Sequence, residues 1–182
     1  MSKSDMQRSK LLSLVLRHDP GKLGLTLDPQ GWASVDAIVE ATRGHPVALT
    51  REAIARVVAN NDKKRFELSE DGALIRAVQG HSVEVDPGYQ PSEPPEHLYH
   101  GTATRFLDSI LREGLDRRTR RHVHLSSTVE TAITVGKRHG KPAVLRVNAL
   151  AMHARGQTFF LAKNGVWLTE AVAPDDLELM LR

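Results

Sequence analysis

Residues 82–96 read SVEVDPGYQPSEPPE and hold four of the chain's nine prolines, Pro87, Pro91, Pro94 and Pro95, among acidic and small residues. Proline fixes φ and withholds a backbone donor, so a stretch this rich in it and this poor in apolar side chains suits neither a helix interior nor a central strand. The segment is expected to be a linker between a lobe at 1–81 and a lobe at 97–182. Working outward from it, the two halves show different hydrophobic rhythms.

Upstream, Met6, Leu11, Leu12, Val15 and Leu16 recur at helical spacing, and Pro20 stops that helix just after Arg17 and His18. A turn at Asp28–Gly31 leads through Trp32 to Ser34, the expected N-cap of a helix from Val35 to Thr42. Thr50 is expected to cap the next helix, which runs to about Asn60. RFEL and ALIRAV, separated by SEDG, read as a β-hairpin. Three helices and then a hairpin is the order of a winged-helix module, a fold that serves nucleic-acid binding and protein interaction alike.

Downstream, short strands alternate with helices. HLYHG reads as a strand, Thr104 as the cap of a helix with Phe106, Leu107, Ile110 and Leu111 that ends at Gly114, and HVHLS as a second strand. Ser127-Thr-Val-Glu130 matches a capping box and opens a helix expected to end near His139. AVLRV, TFFLA, VWLTEAV and LELML complete an α+β lobe with mixed or antiparallel sheets.

Composition narrows the function classes. The chain has 182 residues, 40% hydrophobic and 26% charged, the balance of a folded globular protein. With no cysteine, disulfide scaffolds, thiolate zinc sites, iron–sulfur clusters and cysteine nucleophiles are excluded. The apolar run Leu11–Leu16 is broken by Ser13 and flanked by charge, too short for a signal segment or a membrane span, so the cytoplasm is the expected location. Net charge is 25 − 22 = +3. Within the second half, Arg117, Arg118, Arg120 and Arg121 crowd into five positions, which suits a phosphate partner or an ordinary solvated loop.

Several residues carry potential chemistry. His122 and His124 share one face of their strand, where they can bind a ligand, serve as structural histidines, or present two imidazoles to a metal; no third metal ligand is paired with them by spacing. In LYHGT, His100 at a strand end is followed by Gly101, where backbone can approach a ligand closely, and by the hydroxyl of Thr102. The same residues also suit a plain strand–turn–helix corner. Asn164-Gly165 is above all a turn signal. Arg17, His18 and Arg65 complete the set: arginine offers a planar, permanently charged fork for phosphate, and each also fits simple surface solvation. No GxSxG or P-loop occurs, and no pair of carboxylates is spaced for acid–base work.

Taken in order, KLLSLVLRHDP, LDPQGWASVD, DKKRFEL, IRAVQGHS, LYHGT, RRHVHLS, GKRHGKPAVLRV and FFLAKNGVWLTEAV resemble the RNA 2′-phosphotransferase family, the NAD-dependent tRNA-splicing phosphotransferases. The likeness runs from about Ser9 to Val172. It implies an N-terminal winged-helix RNA-binding lobe followed by an ADP-ribosyltransferase-like lobe that binds NAD⁺. It further implies that an internal 2′-phosphate of a tRNA-like RNA attacks the nicotinamide ribose of NAD⁺ and expels nicotinamide. The RNA 2′-phospho-ADP-ribose intermediate then yields 2′-hydroxyl RNA and ADP-ribose 1″,2″-cyclic phosphate. No metal is implied, and the enzyme is expected to act as a monomer.

The resemblance assigns catalysis to Arg17, His18, Arg65 and an arginine before HVHLS, where the family spacing Arg-x-His-Val-His selects Arg120 over Arg121. It assigns NAD⁺ to His100, Gly101, Thr102, His124, Ser126, Asn164, Gly165 and Val166. Val166 stands where many ADP-ribosyltransferases have Glu, a carboxylate that would repel an incoming phosphate. Its absence argues against protein modification or NAD⁺ hydrolysis, although Glu170 is close in sequence. Two other classes fit parts of the chain: an ADP-ribosyltransferase acting on nucleic-acid terminal phosphates, and a non-catalytic winged-helix RNA-binding protein.

Overall fold

In a computed structural model, which describes residues 2–61 and 63–181, the chain divides into two units, Met1–Gly88 and Tyr89–Arg182. Met1, Arg182 and Asp62, the first residue of DKKRFEL, lie outside the described residues. The described chain is a mixed α/β protein with six α-helices and four small antiparallel sheets.

The first unit opens with α1 (Lys3–Arg17), whose N-cap Ser2 accepts from the Asp5 amide. Asp5 is itself buried and accepts from Arg8 and Arg56, which locks the start of α1 to a later helix. That cation pair holds its carboxyl well below the usual range, at about 2. A single 3₁₀ turn follows at Pro20–Leu23. Next come β1 (Trp32–Ser34), α2 (Val35–Ala41) and α3 (Arg51–Ala59), the two helices capped by Ser34 and Thr50 as their positions before the apolar runs require. The hairpin is β2 (Phe66–Leu68) and β3 (Leu74–Ala77), and β1 joins it in the order β1-β3-β2. Leu12, Val15, Leu16, Ile38, Ile54 and Ile75 are fully buried and form the core under this sheet.

In the second unit, β4 (Leu98–Ala103) runs through a 3₁₀ turn, Thr104–Phe106, into α4 (Leu107–Glu113). Thr104 therefore is not a helix cap: it starts the 3₁₀ turn, and no side chain caps either element. Short β5 (Leu115–Asp116) and β6 (Val123–Leu125) precede α5 (Val129–Gly136). The cap of α5 is Thr128, one residue past the expected Ser127, because it is the Thr128 hydroxyl that reaches the Thr131 amide. The helix also stops at Gly136, with His139 in the turn beyond.

β7 (Pro142–Val147), the unexpected α6 (Ala149–Ala154), β8 (Phe160–Leu161), β9 (Trp167–Thr169), β10 (Ala171–Val172) and β11 (Leu177–Leu181) finish the chain. VWLTEAV is thus two strands parted at exposed Glu170, of which β9 pairs with β6 and β10 with β5. The sheets are β11-β7-β4, β6-β9-β8 and β10-β5. Leu98, Leu125, Leu145, Val147 and Phe159 are the buried heart of the unit.

The Pro-rich segment is anchored at both ends. Ser82 and Val83 donate their amides to the Arg17 carbonyl and Val85 is buried, while Ser92 donates to the Phe159 carbonyl and Pro91 bridges Phe160.

Candidate functional site

Two groups of polar side chains are built into the fold, one in each unit. In the first, α1 ends at Arg17, and His18 is its C-cap, so the two are delivered together to the C-terminal end of a helix packed into the core. Arg17 donates from Nη2 to the Arg65 carbonyl at 3.5 Å, and its guanidinium carbon lies 6.0 Å from the Phe66 ring. Phe66 is buried, so it sets a firm floor.

Arg65 is placed by Asn61, which is buried and accepts on Oδ1 from both the Lys63 amide, at 3.2 Å, and Arg65 Nη1, at 3.0 Å. Between them Lys64 is held in the left-handed region, φ 41, a conformation costly for a residue with a side chain and kept only where its surroundings impose it. Exposed His18 is held through Nδ1 to the Ser82 hydroxyl at 2.9 Å. Arg17, His18 and Arg65 are therefore brought together by Asn61 and Ser82. Sequence reading missed both: Asn61 lies just past the expected helix end near Asn60, and Ser82 falls in the expected linker.

In the second unit, β4 is tied to β6 by a pair of hydrogen bonds between Tyr99 and Ser126, at 2.9 and 2.8 Å, and β6 pairs in turn with β9. This brings His100 onto His124. His100 Nδ1 lies 3.3 Å from the His124 carbonyl oxygen, an acceptor, so Nδ1 carries the proton and Nε2 keeps a lone pair. Burial, then the nearby Arg120 and His139 charges, lower the His100 pKa from its ordinary 6.5 against the opposing effect of that carbonyl, so the ring is neutral at pH 7.

Arg120 Nη1 lies 3.4 Å from His124 Nδ1; guanidinium can only donate, which fixes the neutral tautomer of His124 as well. His100, His124, Ser126 and Arg120 are thus one cluster. His122 departs from it: its ring packs edge-on to Phe160 at 5.5 Å and to Tyr89 at 6.2 Å. Among the described residues no three His, Asp or Glu gather as metal ligands would.

Beside Gly101 the backbone leaves no room for a side chain. A methyl group on its α-carbon would lie 2.6 Å from the Ala132 carbonyl carbon and closer still to the oxygen, so the space beside Gly101 is filled by α5. Thr102 is buried next to it. Asn164 and Gly165 form the β8–β9 turn, where Gly165 donates to the Ala162 carbonyl and Asn164 Oδ1 accepts from the Val166 amide at 3.3 Å.

Chemically, the first cluster offers fixed cations to an anion, and the second offers a neutral imidazole acceptor beside a cation. The chain matches the model of the RNA 2′-phosphotransferase, Tpt1 / KptA family over residues 3–171. It is 57% identical over 164 residues to a probable RNA 2′-phosphotransferase of Agrobacterium fabrum, covering 90% of this chain and 88% of that one. The like-named protein of Pectobacterium carotovorum subsp. carotovorum is 55% identical over 165 residues, 90% and 89% of the two chains. That of Hahella chejuensis is 49% identical over 180 residues, 99% and 97%. The protein is a transferase. It belongs to the RNA 2′-phosphotransferase family.

Proposed function

We propose that this chain is an NAD⁺-dependent RNA 2′-phosphotransferase in which the first unit, a winged-helix lobe, takes the RNA 2′-phosphate. The second unit, an ADP-ribosyltransferase-like lobe, takes NAD⁺. The reading rests on one observation above all: two arginines and a histidine are gathered in one place, held by Asn61 Oδ1, a backbone carbonyl and a serine hydroxyl, a set of donors suited to an anion. Bound NAD⁺ supplies an electrophilic ribose carbon with nicotinamide as leaving group, and then a ribose hydroxyl to take the phosphorus.

The residues of the chain then have distinct work. A phosphate is already a nucleophile and needs no strong base; Arg17 and Arg65 orient it and spread its charge. His18 returns a proton to the RNA 2′-oxygen as the P–O bond breaks. His100, neutral with Nε2 as acceptor, takes a hydrogen bond from a ribose hydroxyl of NAD⁺. His124 and Ser126 on β6 and the 164–166 turn frame the same ligand, and Arg120 stabilises charge at phosphorus in the second step. Val166, with no carboxylate, leaves a phosphate acceptor unopposed.

The test is acceptor dependence. Nicotinamide release is expected with RNA bearing an internal 2′-phosphate, and not with unmodified RNA or protein acceptors. Release on RNA with only a terminal phosphate at an equal rate would assign the chain to end modification, and absence of release on every acceptor would make it a binding protein.

A further inference from the structure

The stretch KRHGK at 137–141 lies in a motif that carried the family likeness, yet the proposed reaction leaves it unused. Eight arginines of the described chain sit in ion pairs with carboxylates. Arg105, Lys137, Arg138 and Lys141 do not: all are exposed, and among the described residues no carboxylate lies within ion-pair distance of them. Eight of the chain's 17 arginines are thus paired with a carboxylate, and this group is not.

The group is assembled from two segments. After α5 the main chain winds on through bonds from Lys137, Arg138 and His139 to the carbonyls of Ile133, Val135 and Gly136, then reverses at Gly140, whose φ of +136 favours glycine. The Thr104 amide donates to the Lys141 carbonyl at 2.9 Å and pins the loop to the end of β4. Arg105 stacks on the Phe106 ring at 4.7 Å, and its Nη1 would lie 3.5 Å from a side chain at Gly140. The cations therefore converge on one end of the strand that carries His100. Ala103 is three residues from His100, about 10 Å at ~3.3 Å per residue.

A helix C-terminus attracts cations, which accounts for Lys137 and Arg138 but not for Arg105, which comes from another element. A dinucleotide has one diphosphate to offer, whereas this surface presents more cations than that, all turned to solvent. A nucleic-acid strand repeats its phosphates and matches it better.

We propose that Arg105 and the 137–141 loop form a phosphodiester-binding surface that holds the RNA strand flanking the reacting 2′-phosphate, an inference that rests on the RNA 2′-phosphotransferase reading above. The test measures binding of a 2′-phosphorylated RNA oligonucleotide by fluorescence anisotropy from about 50 to 200 mM salt, with NAD⁺ binding followed separately by calorimetry. For the full-length double variant Arg105→Ala/Arg138→Ala, the slope of log K against log salt is expected to become shallower by about 1.4, two contacts at ~0.7 each for a single strand, with NAD⁺ affinity retained. Arg138→Lys alone is expected to keep the wild-type slope, and Arg43→Ala/Arg112→Ala, which removes equal charge from paired positions, to keep it too. An unchanged slope in Arg105→Ala/Arg138→Ala, an equal fall in the control, or loss of NAD⁺ affinity would overturn the proposal. Nicotinamide release by the wild type in the same samples reports the underlying reading independently.

Discussion

Replacing Gly101 by alanine tests how β4 is seated, and its cost can be worked from the structure. The added methyl would lie 2.6 Å from the carbonyl carbon and 3.0 Å from the α-carbon of Ala132, and closer to the carbonyl oxygen than to either. Gly136 mirrors it, since a methyl there would lie 2.5 Å from the Thr102 carbonyl oxygen. The helix and strand thus touch backbone to backbone at two points, and neither side has a rotamer through which to yield. Overpacking a core costs roughly 1–3 kcal/mol, and with main chain on both sides the upper end, about 3 kcal/mol, applies. At about 4–8 °C per kcal/mol for a unit of this size, the melting temperature should fall by roughly 12–24 °C. NAD⁺ affinity should drop along with it, because His100 precedes Gly101 on the displaced strand. The assay is thermal unfolding by circular dichroism, with Gly21→Ala as the control: its methyl would meet only the Asp19 side chain, at 3.6 Å. A Gly101→Ala protein that melts within a degree or two of wild type but loses NAD⁺ binding would refute this reasoning and point to Gly101 as a place of ligand approach instead.

Three further outcomes follow from the same structure. The depressed Asp5 carboxyl adds stability that is complete above its ordinary pKa of 3.8 and lost as pH falls toward about 2; acid titration followed by circular dichroism should show Asp5→Asn less stable at neutral pH, with its deficit shrinking across that window. His100 has a folded pKa below its ordinary 6.5, so its neutral form should hold NAD⁺ at full affinity at and above neutral pH and lose it on acidification past that ordinary value. Calorimetric titrations across the range check this, and affinity already falling between pH 8 and 7 would contradict it. Arg120→Ala should cost on the order of 3 kcal/mol, about a hundredfold, at the second step and let RNA 2′-phospho-ADP-ribose accumulate in quenched samples; weaker RNA binding with normal turnover and no intermediate would reduce Arg120 to a backbone contact.

Local chemistry was legible in the sequence, and distant pairing was not. Pro20 marked the end of α1, and with it the placement of Arg17 and His18. Ser34 and Thr50 marked their helices because a hydroxyl before an apolar run has one obvious use. By contrast β1 is three residues long and exists through its register with β3, where Trp32 faces Arg76 from 44 positions away. Adjacent hydroxyls at 127 and 128 offered the same bond to one helix, and only the backbone geometry decides for Thr128.

The candidate site shows the same division. Residue types suited to phosphate could be read from Arg17, His18 and Arg65, but the groups that aim them, Asn61 and Ser82, have no sequence signal, since Ser82 meets His18 across 64 positions. Gly101 was visible as a glycine that something must approach; that α5 fills the space is a fact of packing. The clamp of His100 on the His124 carbonyl is equally a product of strand pairing, fixed by the Tyr99–Ser126 bonds.

The central claim is that the phosphate leaves the RNA by transfer to the ADP-ribose part of NAD⁺. The most direct measurement follows an oligonucleotide whose internal 2′-phosphate alone carries a radioactive label, incubated with the full-length protein and NAD⁺, the products being separated and weighed by mass spectrometry. The account predicts all released label in ADP-ribose 1″,2″-cyclic phosphate, with one nicotinamide and one 2′-hydroxyl RNA formed for each, and none released without NAD⁺. Label appearing as inorganic phosphate, or released equally when NAD⁺ is left out, would contradict it.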